Sequence, residues 1–223
     1  MKISRSLRTR AAFTLIELLV VISIIAVLAG MGFSGMKGAM ESAKKVQAKN
    51  DMTQIANAVQ FYYTEYGRYP VPTADQGDDS RCVYGTNATK GNEKIINVLR
   101  YPSSTSGSTW TDAESLNPRQ IKFLEVTNAK DQANPKSGIR TGSASNGAWY
   151  DPWGSQYIIF IDGDYAGDID PSPAYGSGVL TTGATKVQIG VGAATVGFYN
   201  NKKNTTALLP RAFDRSYDLI SWQ

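Results

Sequence analysis

The sequence predicts an α+β protein in which one long amino-terminal α-helix, half of it membrane-spanning and half amphipathic, packs on a small antiparallel β-sheet with long loops. Three observations carry this. Nearly every residue from Leu18 to Met31 is apolar. Apolar residues then recur at spacings of three and four from Met40 to Tyr66, the mark of a helix with one buried face. Aromatic and β-branched runs bounded by turn residues appear only late, from Tyr157 onward.

The 223 residues suffice for one ordinary domain plus an appendage, and 42% hydrophobic with 19% charged residues is a globular balance. The net charge of +4 is concentrated in Lys2, Arg5, Arg8 and Arg10, with no acid before Glu17, and the remainder is close to neutral. That removes the basic patch that nucleic-acid binding requires. The chain has no histidine, which excludes Ser-His-Asp and Cys-His catalysis and weakens any zinc site. Cys82 is the one cysteine, so no intrachain disulfide forms.

The amino-terminal segment divides into a basic leader, 1–12, and a hydrophobic helix, 13–38. From Phe13 to Phe33 the helix has about the 20 residues that cross a bilayer, and the basic leader places its start in the cytoplasm and the body outside. Three readings fit this pattern: a cleavable secretory signal ending near Val27 and Ala29, an uncleaved anchor, or a span in which Glu17 has its own purpose. A carboxylate well inside a membrane helix costs roughly 2.5 to 3.5 kcal/mol and calls for a partner. The next cation, Lys37, is about five turns away. A partner is therefore expected from outside the helix, and an amine made by cutting the chain would serve.

RAAFTLIELLVVISIIAVL resembles the amino-terminal signal of type IV pilin-like proteins, which a prepilin peptidase cuts on the cytoplasmic side. The resemblance implies cleavage between Ala12 and Phe13, an N-methylated Phe13, and a Glu17 that pairs with the Phe13 amine of a neighbouring subunit. In an apolar bundle each ion then offsets the desolvation of the other. The family usually carries Gly before the cut, where this chain has Ala12.

The amphipathic half, 39–66, is expected to end at Gly67, with Pro70 and Pro72 beyond it. From Phe13 the whole helix would reach roughly 80 Å. Gly30 to Gly35, GMGFSG, fits the dinucleotide fingerprint, but that motif has meaning only between a strand and a helix. Here the glycines at 30, 32, 35 and 38 read as close-packing positions that loosen the helix.

The body, 67–223, contains an apparent insertion at about 71–148 that is rich in Gly, Ser, Thr and Asn, with short helices expected at 93–100 and 118–124. Asn87-Ala-Thr and Asn204-Thr-Thr match the glycosylation acceptor, a pattern that mostly arises by chance. Asp151-Pro152-Trp153-Gly154 signals a turn; strands are expected at 157–161 and 186–191, and Asp218 to Trp222 returns apolar residues to the core.

GRYP at Gly67 to Pro70, DPWGSQY at Asp151 to Tyr157 and the terminal DLISW resemble the major pseudopilins of type II secretion systems, over about residues 8–70, 149–161 and 214–222. The resemblance implies a non-enzymatic subunit that polymerises with itself into a periplasmic filament. It would be anchored by a single pass in the bacterial inner membrane with its carboxy-terminal domain in the periplasm. Its implied partners are the prepilin peptidase, the minor pseudopilins and the inner-membrane assembly platform. The alternatives are a surface type IV pilin, whose terminal loop a disulfide often closes, and a membrane-anchored binding or hydrolytic protein.

The resemblance also implies calcium in the loop before the terminal motif. Asp218 stands at the family's second Asp, Tyr217 at its first, GVGAAT replaces Gly-Ala-Asp-Gly, and Asp214 is a further carboxylate there. A separate calcium candidate is DGDYAGDID, where Asp162, Asp164, Asp168 and Asp170 follow the spacing of an EF-hand loop with Gly167 at its sixth place. Ala166 and Pro173 break that pattern, and a polar turn with solvated acids explains it as well. Close carboxylates also occur in glycoside hydrolases, but no enzyme scaffold accompanies these.

Overall fold

The computed structural model describes residues 13–86, 90–101, 110–142, 146–175, 186–198, 200 and 219–221, with the side chains of 31–35, 110–112 and 173 also outside the description. It consists of two compact units, Met1–Ala43 and Lys44–Gln223. Helix α1, Leu15–Tyr66, contributes residues to both. As the sequence predicts, it stops at Gly67, whose φ of 65° only glycine adopts without strain and whose N–H reaches Tyr63 O at 2.8 Å.

In the first unit the apolar side chains from Phe13 to Leu28 are all exposed. Among the described residues no helix is long and apolar enough to cross a membrane. The described apolar stretch, 15–30, is shorter than the roughly 20 residues a span requires, and the expected span 13–38 includes the side chains of 31–35. Gly30 to Gly35 lies within α1, not between a strand and a helix, so the dinucleotide motif lacks its context.

In the second unit, one face of α1 is core. Ala48, Met52, Ile55, Val59 and Tyr62 are fully buried and recur at helical spacing. Four antiparallel strands form the sheet in the order β1-β4-β5-β6: β1 is Val83–Tyr84, β4 Ile158–Ile161, β5 Val191–Thr195 and β6 Leu219–Ile220. Strand β4 reads as a continuous apolar run because both its faces are covered. Ile159 and Ile161 join the core with the α1 residues, while Ile158 and Phe160 pack with Val83, Ala194, Tyr175 and Ile220 on the other side.

The strand expected at 186–191 forms later in the chain. Val187 makes only an isolated antiparallel bridge to Ile169, and β5 begins at Val191. Its VGAAT has weak strand propensity, but the register sets Ala194, Ala193 and Gly192 opposite Ile158, Ile159 and Phe160, so small residues accommodate large ones. Tertiary fit overrides propensity here.

Residues 71–148 contribute substantially to the core. They supply strand β1, helix α2 (Glu93–Arg100), helix α3 (Trp110–Leu116) and strand β2 (Gly138–Ile139), which pairs with β3 (Trp149–Tyr150). Ile95, Ile96, Leu99, Leu116 and Ile139 belong to the same core as the α1 residues. Helix α2 has the predicted bounds, but 118–124 is not a helix. Gln120 has a φ of 58°, Gln120 and Ile121 N–H turn back to Asn117 O and Oδ1, both at 3.0 Å, and the N–H groups of Phe123 and Leu124 both reach Leu99 O, at 2.9 and 3.1 Å, so the second half of the segment bonds across the fold. Both glycosylation-type triplets lie outside the described residues.

Candidate functional site

Phe13 and Thr14 precede the first turn of α1. Thr14 N–H and Thr14 Oγ1 both donate to Glu17 Oε2, at 2.9 and 2.8 Å, and Glu17 N–H approaches Thr14 Oγ1 at 3.3 Å. This is a reciprocal capping box in which a hydroxyl and a carboxylate three residues apart satisfy each other's backbone donors. Glu17, expected well inside the helix, sits instead in its first turn, where the helix dipole also favours it. Phe13 is 81% exposed beside it. Ala12 lies outside the described residues.

The predicted turn at Asp151 is built around a fully buried carboxylate. Asp151 Oδ1 accepts N–H groups from Trp153, Gly154 and Ser155 at 2.9, 2.7 and 2.9 Å, and Oδ2 accepts the Thr195 hydroxyl of β5. Burial raises its pKa to about 6 against these four donors, which favour the ionised form. A Cβ at residue 197 would strike this carboxylate, which accounts for Gly197. On the sheet's α1 side, Tyr157 Oη donates to Asp51 Oδ2 at 2.7 Å, both groups being buried.

The acidic loop after β4 is drawn together by residues distant in sequence. Asp79, in the 3₁₀ turn Asp79–Arg81, brings a carboxylate to Asp162 and Asp164, with ligand-type oxygens within 4.8 Å of one another. Lys186 Nζ stands among them, 2.9 Å from Asp79 Oδ2, 2.7 Å from Asp168 Oδ1 and 3.8 Å from Asp164 Oδ2. Its pKa rises because Asp168 and Asp79 accept from the charged ammonium. Asp162 commits Oδ1 to Ala166 N–H and Oδ2 to Gly167 N–H, at 3.1 and 2.9 Å. Asp170 accepts Ser172 N–H at 2.8 Å, in the turn that leads into the short helix α4, Ser172–Tyr175.

Four of the six candidate metal ligands are therefore placed: Asp164 and Asp168 reach Lys186, Asp162 joins Asp79 and Asp164, and Asp170 belongs to neither group. Asp214 and Asp218 lie outside the described residues. Sequence reasoning passed over Thr14, whose T-x-x-E spacing to Glu17 is the capping signature. It also passed over Asp79 and Lys186, which carry no local signal.

One long helix opened by Phe13, Thr14 and Glu17, with a small antiparallel sheet in the body, defines a pilin-like protein. The family model for the prokaryotic N-terminal methylation motif matches residues 7–33. The chain is 31% identical to the type II secretion system core protein G of Vibrio cholerae serotype O1 over 123 residues, 55% of this chain and 81% of that one. Against the core protein G of Klebsiella pneumoniae it is 32% identical over 143 residues, 61% of this chain and 96% of the relative. The match to the Aeromonas hydrophila protein, 36% over 73 residues, spans about half (50%) of that relative and 33% of this chain. No solved structure matches. The chain belongs to the type II secretion system core protein G family.

Proposed function

We propose that this chain is the major pseudopilin of a type II secretion system, a structural subunit that polymerises into a periplasmic filament and drives protein export. Prepilin peptidase cuts between Ala12 and Phe13 and Phe13 is N-methylated. The subunit waits in the inner membrane with its carboxy-terminal unit in the periplasm. Minor pseudopilins and the inner-membrane assembly platform are its partners, and polymerisation needs no catalysis by the chain itself.

The observation that supports this best is the coincidence of the methylation motif with a helix start whose apolar side chains are exposed from Phe13 to Leu28. Exposing a continuous apolar helix to water is unfavourable by about 25 cal/mol per Å², so the surface requires lipid before assembly and neighbouring helices after it. At the helix start, Glu17 would exchange part of its intrachain cap for the charged amine of a neighbour's Phe13.

Mass spectrometry of the mature amino terminus tests the processing. N-methyl-Phe13 is the expected first residue; a chain beginning near Gly30 would identify a cleaved secretory signal instead.

A further inference from the structure

We propose that Lys186 is the resident cation of the acidic loop, an ammonium held by Asp79, Asp164 and Asp168 where the Asp79, Asp162 and Asp164 carboxylates would otherwise hold a divalent ion, so that the loop after β4 folds without calcium.

The cluster joins segments far apart in the chain. Asp79 comes from the 3₁₀ turn, Asp162, Asp164 and Asp168 from the loop after β4, and Lys186 from the segment leading to β5. Bringing those carboxylates together in a partly buried place is unfavourable unless a cation joins them. Lys186 does so with two hydrogen bonds of 2.9 and 2.7 Å and a third oxygen at 3.8 Å. Its own segment is held by Gln188, whose Nε2 donates to Asp168 Oδ2 at 3.3 Å, and by the Val187–Ile169 bridge.

The oxygens that remain suit calcium poorly. Calcium takes six to eight oxygen ligands at 2.3–2.6 Å. Both Asp162 oxygens and one of Asp164 already accept backbone N–H groups from Ala166 and Gly167. Asp79 Oδ1 accepts Gly163 N–H at 2.9 Å. Ala166 brings no side-chain oxygen to the fifth position of the loop pattern. The loop is also closed from outside the cluster: Tyr165 stacks on Tyr69 with ring centroids 5.5 Å apart, and its hydroxyl accepts Tyr69 N–H at 3.3 Å. An ammonium needs no dehydrated cage of six oxygens, so one lysine completes what the backbone has mostly satisfied.

Hydrogen exchange of the 162–170 segment, read by mass spectrometry on the full-length chain in detergent, tests this locally and independently of filament assembly. The wild-type segment should exchange at the same rate with millimolar calcium or with chelator. In Lys186→Met, which keeps the stem but loses the charge, exchange in chelator should accelerate about tenfold or more, and calcium should slow it again because the vacated carboxylates become available. Lys186→Arg, which keeps the charge, should stay close to wild type and shows that the fold tolerates a change there. Calcium protection of the wild-type segment, a Lys186→Met segment that exchanges like wild type in chelator, or one that ignores calcium would each overturn the proposal. Were Lys186→Met not to fold, the wild-type comparison alone retains the power to refute it.

Discussion

Residues 15–30 and 48–62 belong to one helix, α1, yet they follow opposite rules. The first stretch is apolar all round, and its large side chains are exposed. The second is amphipathic: Met52, Ile55, Val59 and Tyr62 are buried at helical spacing, while Lys49, Thr53, Asn57 and Gln60 face water. Side-chain pattern, not helix propensity, decides what each stretch needs from its surroundings. The second finds its partners within the chain; the first leaves its large side chains exposed, and under the proposed function lipid or other subunits cover them.

The largest expected effect separates these regions. Ile55→Ala removes a fully buried side chain from the core shared by α1, α2 and β4, and should cost about 3 kcal/mol in denaturant unfolding of the body. Ile25→Ala deletes the same atoms from a side chain 58% exposed, and should move that unfolding by less than about 0.5 kcal/mol. Its effect belongs instead to filament yield, measured by sedimentation or microscopy. Equal destabilisation by the two substitutions would show that the division between the regions is wrong.

A somewhat smaller effect is expected from the buried turn that joins β3 to β4. Asp151→Ala removes the carboxylate that accepts the N–H groups of Trp153, Gly154 and Ser155 and the Thr195 hydroxyl, leaving Gly154 N–H its longer bond to the carbonyl of residue 151 at 3.2 Å, at a cost of about 2 to 3 kcal/mol. Because burial raises the folded pKa to about 6, the folded state binds the proton more tightly than the unfolded chain does. The contribution of Asp151 to stability therefore falls as pH rises from about 4 to 6 and stays at its lower value above that. Asp151→Asn, which keeps an acceptor oxygen, should flatten this part of the pH profile when wild type and variant are melted side by side. The amino-terminal helix stretch has no such buried acid, so Ile25→Ala should keep the wild-type pH profile.

Why some elements were legible in the sequence follows from how local their causes are. Helix α1, its end at Gly67, helix α2 and the Asp151 turn are each dictated by neighbouring residues, through periodicity, a left-handed glycine or a side chain bonding its own turn. Strand β5 and the non-helical 118–124 segment were missed because decisive causes are distant: the large residues of β4 and the carbonyl of Leu99. The insertion reads as loop by composition, yet Asn92 and Asn117 tie it into the core. Asn92 Nδ2 donates to Trp149 O and Tyr157 O, each at 2.9 Å, and Asn117 Nδ2 donates to Val98 O at 2.9 Å. Polar residues there act as core fasteners. The acidic loop was visible as a row of carboxylates; the cation that completes it comes from residue 186 and leaves no mark in the loop's own pattern.

The smallest expected effect concerns the start of α1, where Glu17 has two candidate partners, Thr14 in its own chain and the Phe13 amine of a neighbour. Thr14→Ala removes the hydroxyl but spares the carboxylate, and should loosen the first turn by about 1 kcal/mol, read as faster hydrogen exchange at 15–18. Glu17→Gln does the converse. Glutamine retains an oxygen that can accept Thr14 N–H, because a capping box accepts either residue, but it carries no charge for a neighbouring amine. Normal first-turn protection combined with a loss of filaments in Glu17→Gln would assign the charge to contact between subunits. Filaments at wild-type yield would mean that Glu17 serves only its own helix, and the distinction between the self-sufficient and the partner-dependent parts of α1 would then begin after residue 17.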